Sequence, residues 1–198
     1  MNPTDPTLNV ARGRYLTGEG RLDEARAVLE ATVRERPGDL SAQAAMLACL
    51  READATDELS QRMAALPPQS LHDPWLLLIQ RGKHANQSGN PEDAAAAFGQ
   101  LLNQDRTCSE AWAGQAQAAL MLKDLPKRKQ ALAMTAGLAR IQNRLTKITR
   151  RPDHPESFLD IADLCAELAL DREGRFFVEY ARKLSPDNPR VLTTIKTF

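Results

Sequence analysis

The sequence is poor in cysteine and has no excess of charge of either sign. Its three cysteines, Cys49, Cys108 and Cys165, lie far apart with no CxxC pair, and their odd number argues against a disulfide framework. We expect them to be small buried side chains in helix packing. Lysine plus arginine equals aspartate plus glutamate, 26 of each, so no overall field draws the chain to nucleic acid or to an anionic membrane.

Long apolar runs are also missing. No stretch approaches the length needed to span a bilayer. Residues 1–9 lack the basic and apolar regions of a signal peptide. We therefore expect a cytoplasmic protein with no membrane partner. A mature periplasmic or secreted chain that had lost its signal peptide would look the same.

The common catalytic motifs are absent. The sequence has no GxSxG, no phosphate-binding glycine-rich loop and no HExxH. Its three histidines, His72, His84 and His154, do not lie at ligand spacing from one another or from a cysteine. We expect no enzymatic activity, no metal and no cofactor.

One spacing of small and large residues occurs three times. Three small residues, separated by seven and five positions, are followed four positions later by a larger apolar residue. The three copies are Gly13, Gly20, Ala25 and Leu29; Gly82, Gly89, Ala94 and Phe98; and Ala162, Ala169, Gly174 and Val178. The distance along the chain from the first copy to the second is about two units of 34 residues, and 34 residues is a period of helical-hairpin repeats. The sequence therefore predicts an array of antiparallel helix pairs.

Apolar residues recur at intervals of three and four along the chain, which indicates helices. Asx-Pro pairs mark several helix starts, because the Asx side chain can cap free amides while proline occupies the first helical position. These pairs are Asp5-Pro6, Asp73-Pro74, Asn90-Pro91 and Asn188-Pro189. We expect helices at 7–17, 21–35, 40–53, 56–66, 73–87, 91–104, 108–122, 126–148, 155–169, 172–184 and 189–197.

These helices group into a single repeat domain over residues 1–198. We expect units at about 6–39, 40–72, 73–108, 109–154 and 155–188, with a cap at 189–198. The unit 40–72 ends in Pro67-Pro68, which predicts a shortened second helix. The unit 109–154 holds about 12 residues more than one repeat, which predicts an extended second helix that ends before Arg151-Pro152.

The pattern resembles the tetratricopeptide repeat. That motif has a large and a small residue in the first helix, a Gly or Ala at the turn, a small residue and an aromatic or Leu in the second helix, and a closing Pro. The matching residues are Gly13, Gly20, Ala25, Leu29 and Pro37; Leu78, Gly82, Gly89, Ala94 and Phe98; and Phe158, Ala162, Gly174, Val178, Ala181 and Pro186. The resemblance implies an all-α, right-handed α-solenoid of about five hairpins plus a C-terminal capping helix.

The same resemblance implies a non-catalytic scaffold that binds a peptide or partner helix in its concave groove. Carried onto this sequence, the groove would include Arg14, Leu76, Ile79, Lys83, Asn86, Glu110, Gln117, Glu156 and Asp163. We expect a protein or peptide partner, and self-association is left open. The tryptophans near the starts of two first helices, Trp75 and Trp112, are expected in the core, with a groove anchor as the alternative role.

Two charged stripes follow one another late in the chain. The basic stripe is Arg140, Arg144, Lys147 and Arg151, and the acidic stripe is Glu156, Asp160, Asp163 and Glu167. The two stripes could pair with each other across adjacent helices. Alternatively, the acidic stripe could line the groove, and we favour this second interpretation. An alternative function is a nucleic-acid or anion-binding adaptor that acts through the basic segment 123–151. Overall neutrality disfavours it.

The C-terminal helix is too short to be stable alone, so we expect it to dock on residues 172–184. Leu192, Ile195 and Phe198 step by three, with Val191 beside them, and would form its docked apolar side.

Overall fold

The computed structural model describes residues 6–148 and 154–198. These residues form eleven α-helices, one turn of 3-10 helix and no strand. The elements are α1 (Pro6–Gly18), α2 (Leu22–Glu35), α3 (Leu40–Glu52), α4 (Thr56–Ala64), α5 (Trp75–Gln87), α6 (Pro91–Gln104), α7 (Ser109–Met121), α8 (Leu125–Ile148), α9 (Pro155–Glu167), α10 (Asp171–Leu184), α11 (Pro189–Thr194) and a 3-10 turn (Ile195–Thr197). The helices pair as hairpins that stack on one another, so the predicted all-α solenoid with a C-terminal helix is confirmed.

Every hairpin turn contains one residue in the left-handed backbone region. These residues are Gly20, Asp54, Gly89, Lys123 and Ala169, with φ between +52° and +77°. In all five turns the amide of the next residue donates to the carbonyl five residues earlier, which ends the first helix. The intervals between these residues are 34, 35, 34 and 46. Because Gly20, Gly89 and Ala169 are the second members of the three sequence copies, the register read from the sequence is confirmed.

The small residues of the repeated spacing make room for a large side chain. A Cβ added to Gly13 would lie 2.5 Å from the Leu29 side chain, and one added to Gly82 would lie 2.6 Å from the Phe98 ring. A Cβ added to Gly114 on the following first helix would also collide with the same ring. The close approach is thus between a helix backbone and a side chain.

Gly114→Ala should therefore destabilise the protein. The added methyl would meet the Phe98 ring, which is fully buried and has no space to move. We expect overpacking to cost about 1–3 kcal/mol, more than the gain of about 1 kcal/mol from replacing a helical glycine. Urea denaturation followed by circular dichroism would measure the change in the free energy of unfolding.

Gly99→Ala is the matched control for Gly114→Ala. Gly99 lies inside α6, and an added Cβ there meets nothing within 4 Å. Only the helix-propensity gain remains, so we expect this variant to be more stable than the wild type by up to about 1 kcal/mol. If both variants changed the free energy of unfolding by the same amount and in the same direction, the packing described around Phe98 would be wrong.

The buried core divides at α5. One cluster of buried side chains includes Leu29, Met46 and Leu77, and the other runs from Leu78 to Val191. The neighbouring α4 has 9 residues, against 14 in each of α2, α6 and α10, as Pro67-Pro68 predicted. With a short α4, α5 itself joins the two halves of the core through α3 on one side and α6 on the other.

The expected caps form at only one described Asx-Pro pair. The Asn188 side chain accepts a hydrogen bond from the Arg190 amide at 2.9 Å, whereas Asn90 makes no side-chain cap. Asp73 is buried and accepts from Ser70 and Arg81 instead. Asp5 lies outside the described residues. Pro91 and Pro189 are the first residues of α6 and α11, with or without a capping side chain, whereas Pro74 precedes the first residue of α5.

The second helix of the fourth hairpin is extended, as predicted. α8 has 24 residues and reaches Ile148, so it is about 15 Å longer than the 14-residue second helices. Its apolar stripe, Leu138, Ile141 and Ile148, is buried. With α10 the extension encloses an apolar cleft of about 550 Å³. The predicted end before Arg151-Pro152 lies outside the described residues.

The C-terminal helix docks through only part of the apolar side that was expected. Val191 is fully buried, while Leu192 and Ile195 are 56% and 36% exposed. Phe198 packs against the backbone of Gly174. The prediction for Leu192 and Ile195 was wrong because the Asn188 cap sets the phase of α11, and the chain then tightens into a 3-10 turn with a different period.

Candidate protein-interaction surface

The first helices of the hairpins pack side by side from α1 to α7. α1 packs on α3, α3 on α5 and α5 on α7, whereas α9 packs mainly on α8 and α10. We call the exposed side of α1, α3, α5 and α7 the first-helix surface. The predicted groove residues therefore fall into two regions, one on this surface and one on α9.

A cleft of about 390 Å³ lies where α1, α3 and α5 meet on the first-helix surface. It is lined by Arg14, Thr17, Gly18, Ala45, Ala48, Glu52 and Leu76. Two of the predicted groove residues, Arg14 and Leu76, thus come together here. Alanines on α3 leave the space open, because their side chains end at the β carbon.

An exposed tryptophan stands beside this cleft. Trp75 is 46% exposed, and the Arg14 guanidinium carbon lies 5.1 Å from the centre of its ring, within the range of a cation–π contact. The expectation that Trp75 lies in the core was wrong. Trp112 is buried as expected, and its indole nitrogen donates to the Arg106 carbonyl at 2.8 Å.

Three predicted groove residues contact the neighbouring helix. Lys83 on α5 forms an ion pair with Glu110 on α7. Asn86, which is 5% exposed, donates to the Gly114 carbonyl at 3.0 Å, and its side-chain oxygen accepts no hydrogen bond from the residues that the structure describes. These contacts join α5 to α7, and the burial of Asn86 corrects its place in the predicted groove.

Ile79 is a correction to the predicted groove. It is 1% exposed and belongs to the buried cluster, so it is unavailable to a partner. The groove residues were carried over from a family pattern. In this chain α5 lies between the two halves of the core, so the side chain of Ile79 is buried. Gln117 on α7 is exposed, as a groove residue must be.

Arg51 was missed by the sequence reasoning. It reaches from α3 to α5, where it donates to the Gln80 side chain at 2.9 Å and to the Gln87 side chain at 2.5 Å. Burial lowers the pKa of Arg51 from its ordinary value. No local motif marks this arginine, because its partners lie a full repeat away in sequence.

The two charged stripes pair with each other. Arg140 contacts Glu167 at 3.0 Å, and Arg144 contacts Asp160 at 3.3 Å. Lys147 lines the same cleft between α8 and α9, and Arg151 lies outside the described residues. The structure therefore has the pairing that was the less favoured hypothesis, because the extension of α8 places the basic stripe against α9.

The acidic stripe is also held by the C-terminal helix. Arg190 on α11 contacts Glu156 at 2.8 Å, Asp160 at 2.9 Å and Asp163 at 2.5 Å. The Asn188 amide and the Arg190 guanidinium, which hydrogen-bond to Glu156, hold the pKa of that carboxyl below its usual range. Two predicted groove residues, Glu156 and Asp163, are thus brought together around one arginine of the same chain.

The cysteines and acidic residues form no metal site in the part of the chain that the structure describes, 6–148 and 154–198. Cys49 and Cys165 are buried free thiols and Cys108 is half-buried. Burial raises the pKa of Cys165 to about 11. A thiol with so high a pKa carries little thiolate, so it is a packing residue.

Stacked hairpins with a common turn and an open first-helix surface define a helical-repeat protein. Comparison with known proteins supports the resemblance: residues 79–128 match the family model described as tetratricopeptide repeat. This part of the chain is therefore similar to tetratricopeptide repeats, and the resemblance read from the sequence is confirmed.

One curated relative is the cellulose synthase operon protein C of Pseudomonas fluorescens (strain SBW25). It is 25% identical over 176 residues, which cover 85% of this chain, and the chain spans 13% of the relative's length. Among solved structures, a tetratricopeptide repeat protein from Parabacteroides merdae ATCC 43184 has 13% identity and a TM-score of 0.49, covering 99% of this chain and 85% of that one.

A second solved structure is that of YrrB, described as a tetratricopeptide repeat protein with an unusual peptide-binding site. It has 14% identity and a TM-score of 0.48, covering 98% of this chain and 94% of that one.

Across the described part of this chain, no helix is both long and apolar enough to cross a membrane.

Proposed function

We propose that the chain is a non-catalytic scaffold that binds a peptide or partner helix in the cleft between α1, α3 and α5. The observation that carries the proposal is an open cleft of about 390 Å³ with a half-exposed tryptophan at its side. Tryptophan and arginine are the residues most often found at energetic hot spots of protein interfaces. Here Arg14 already lies over the Trp75 ring, so both are held in place before a partner arrives.

The lining of the cleft indicates the chemistry of the partner. Ala48 and Leu76 offer apolar surface, while Arg14 and Glu52 supply one charge of each sign. This combination suits a segment that inserts one large apolar side chain and carries charges of both signs beside it. From the cellulose synthase operon relative we carry over only the repeat scaffold, since the chain spans 13% of it.

The alternative of an anion-binding adaptor on the basic segment 123–151 loses part of its support. Arg140 and Arg144 are paired with Glu167 and Asp160, so their charges are already balanced within the chain. A phosphate backbone would have to displace these carboxylates before it could bind.

Peptides selected from a random display library against the chain would test the proposed cleft. Ala48→Trp should fill the cleft and weaken a selected peptide at least about tenfold, which corresponds to about 1.4 kcal/mol. Trp75→Ala should weaken it similarly by removing the anchor. Isothermal titration calorimetry measures both.

Phe176→Ala is the control, because Phe176 is an aromatic residue on α10 that is 65% exposed and far along the chain from the cleft. It should leave the affinity unchanged, and circular dichroism should show that all three variants keep the helical fold. Selected peptides whose affinity is insensitive to Ala48→Trp would rule out this cleft as the binding site.

A further inference from the structure

The turn between α7 and α8 exposes large apolar side chains. Leu120, Met121, Leu122 and Leu125 are 49%, 40%, 38% and 65% exposed. All four lie within six consecutive residues, around the left-handed residue Lys123. We call residues 120–129 the α7–α8 tip.

The other four hairpin turns provide an internal comparison in the same register. The two residues just before the left-handed residue are Met121 and Leu122 in this tip. In the other turns the corresponding pairs are Gly18 and Glu19, Glu52 and Ala53, Gln87 and Ser88, and Glu167 and Leu168. Of these eight side chains, only Leu168 is large and apolar, and it is half-buried against the core. Hairpin closure therefore does not require exposed apolar residues at these positions.

The apolar side chains of the tip are accompanied by positive charge. Lys123, Lys127, Arg128 and Lys129 lie in the same segment, against the single acid Asp124. The Asp124 carboxylate accepts a hydrogen bond from the Lys127 amide at 3.0 Å, so it also serves as the cap of α8. The tip thus combines exposed leucines with a local excess of lysine and arginine, although the whole chain is neutral.

We propose that the α7–α8 tip docks on the surface of an anionic phospholipid bilayer. Apolar side chains would enter the interface, and the lysines would attract the acidic headgroups, the two contributions that hold peripheral proteins on membranes. The proposal replaces the expectation of no membrane partner, which rested on the overall charge and on the lack of a membrane-spanning stretch, and not on the local distribution of charge and apolar side chains.

The geometry of the tip favours a bilayer over other acidic partners. A hairpin turn projects from the helices it joins, and a protein partner would need a matching cavity for four protruding side chains. Nucleic acid offers phosphates but no apolar layer for the leucines, and the tip has no aromatic residue for stacking on bases. The turn is tied by backbone hydrogen bonds from the Lys123 amide to the Leu120 carbonyl and from the Asp124 amide to the Ala119 carbonyl, so the backbone that carries these side chains has a defined turn conformation.

Vesicle flotation tests this proposal. The probes are vesicles of phosphatidylcholine alone and of an equimolar mixture with phosphatidylglycerol, each in a series of salt concentrations. We expect the chain to float with the mixed vesicles at low salt, and much less with phosphatidylcholine or at high salt. Leu122→Ser/Leu125→Ser should weaken binding at least about tenfold, because each leucine contributes only when it is buried in the interface.

Matched variants separate the tip from general stickiness. Phe176→Ser/Leu192→Ser removes two apolar side chains of similar exposure from α10 and α11 and should leave flotation unchanged. Lys123→Gln/Lys129→Gln should reduce binding to the mixed vesicles, while Lys183→Gln/Lys196→Gln should not. Circular dichroism checks that each variant is folded.

Three results would overturn the proposal. The first is absence of wild-type flotation with the mixed vesicles at low salt. The second is equal binding by the leucine variant of the tip and the wild type. The third is capture by immobilised polyglutamate as strong as by vesicles and unaffected by loss of the leucines, which would assign the tip to an acidic protein partner.

Discussion

Phe98→Ala is expected to lower the free energy of unfolding by about 3–5 kcal/mol, the usual cost of truncating a fully buried phenylalanine. The ring is fully buried and is held against the backbones of Gly82 and Gly114. Glycines cannot fill the space that the ring leaves, because they have no side chain to move into it. Three helices of two successive hairpins would lose their common contact. Urea denaturation monitored by circular dichroism measures the loss.

Phe176→Ala is the control for this experiment, since Phe176 is 65% exposed on α10. It should change the free energy of unfolding by no more than about 0.5 kcal/mol. If the two alanine variants unfolded at the same urea concentration, Phe98 would not be the packing centre that joins α5, α6 and α7.

Arg81→Met is expected to destabilise the protein by about 3–5 kcal/mol, because it would leave a buried carboxylate without its partner. The Asp73 side chain is 1% exposed, and its second oxygen lies 2.9 Å from the Arg81 side-chain nitrogen. Arg81 also donates to the Pro67 carbonyl at 2.6 Å, so it ties the loop after α4 to α5. Thermal and urea unfolding would both report the loss.

A second substitution distinguishes the buried charge from lost packing. Asp73→Asn in the Arg81→Met background removes the unpaired charge and should recover a large part of the stability. Arg182→Met breaks an exposed pair with Glu179 and should cost less than about 1 kcal/mol. Failure of Asp73→Asn to restore any stability would show that the charge of Asp73 is not the cause.

The repeat and its register could be predicted from residue spacing alone. Positions such as Gly20 and Gly89 could be identified because hairpin turns need a left-handed residue at a fixed place, and small residues such as Gly82 must face a large one sixteen positions later. These are local requirements that repeat with the chain, so spacing alone reveals them. The length of α8 followed in the same way from the extra residues in its unit.

The tertiary structure decided what the charged and aromatic side chains contact. Trp75 is the first residue of α5 and is half-exposed beside Arg14, whereas Trp112 lies one turn into α7 and is buried. Arg51 and Arg190 find their partners on other helices, at 29 to 36 and 27 to 34 residues' separation. Such contacts depend on the rotation of one helix against the next.

The predicted groove shows the same division between local pattern and helix packing. Arg14 and Leu76 share a cleft, yet Ile79 is buried, because α5 lies between two halves of the core and presents little open surface beyond its first turn. The basic and acidic stripes were both evident in the sequence. The two stripes pair because the extra turns of α8 place Arg140 and Arg144 next to α9. Periodicity defines which residues share a helix face, and only the packing of helices defines what that face meets.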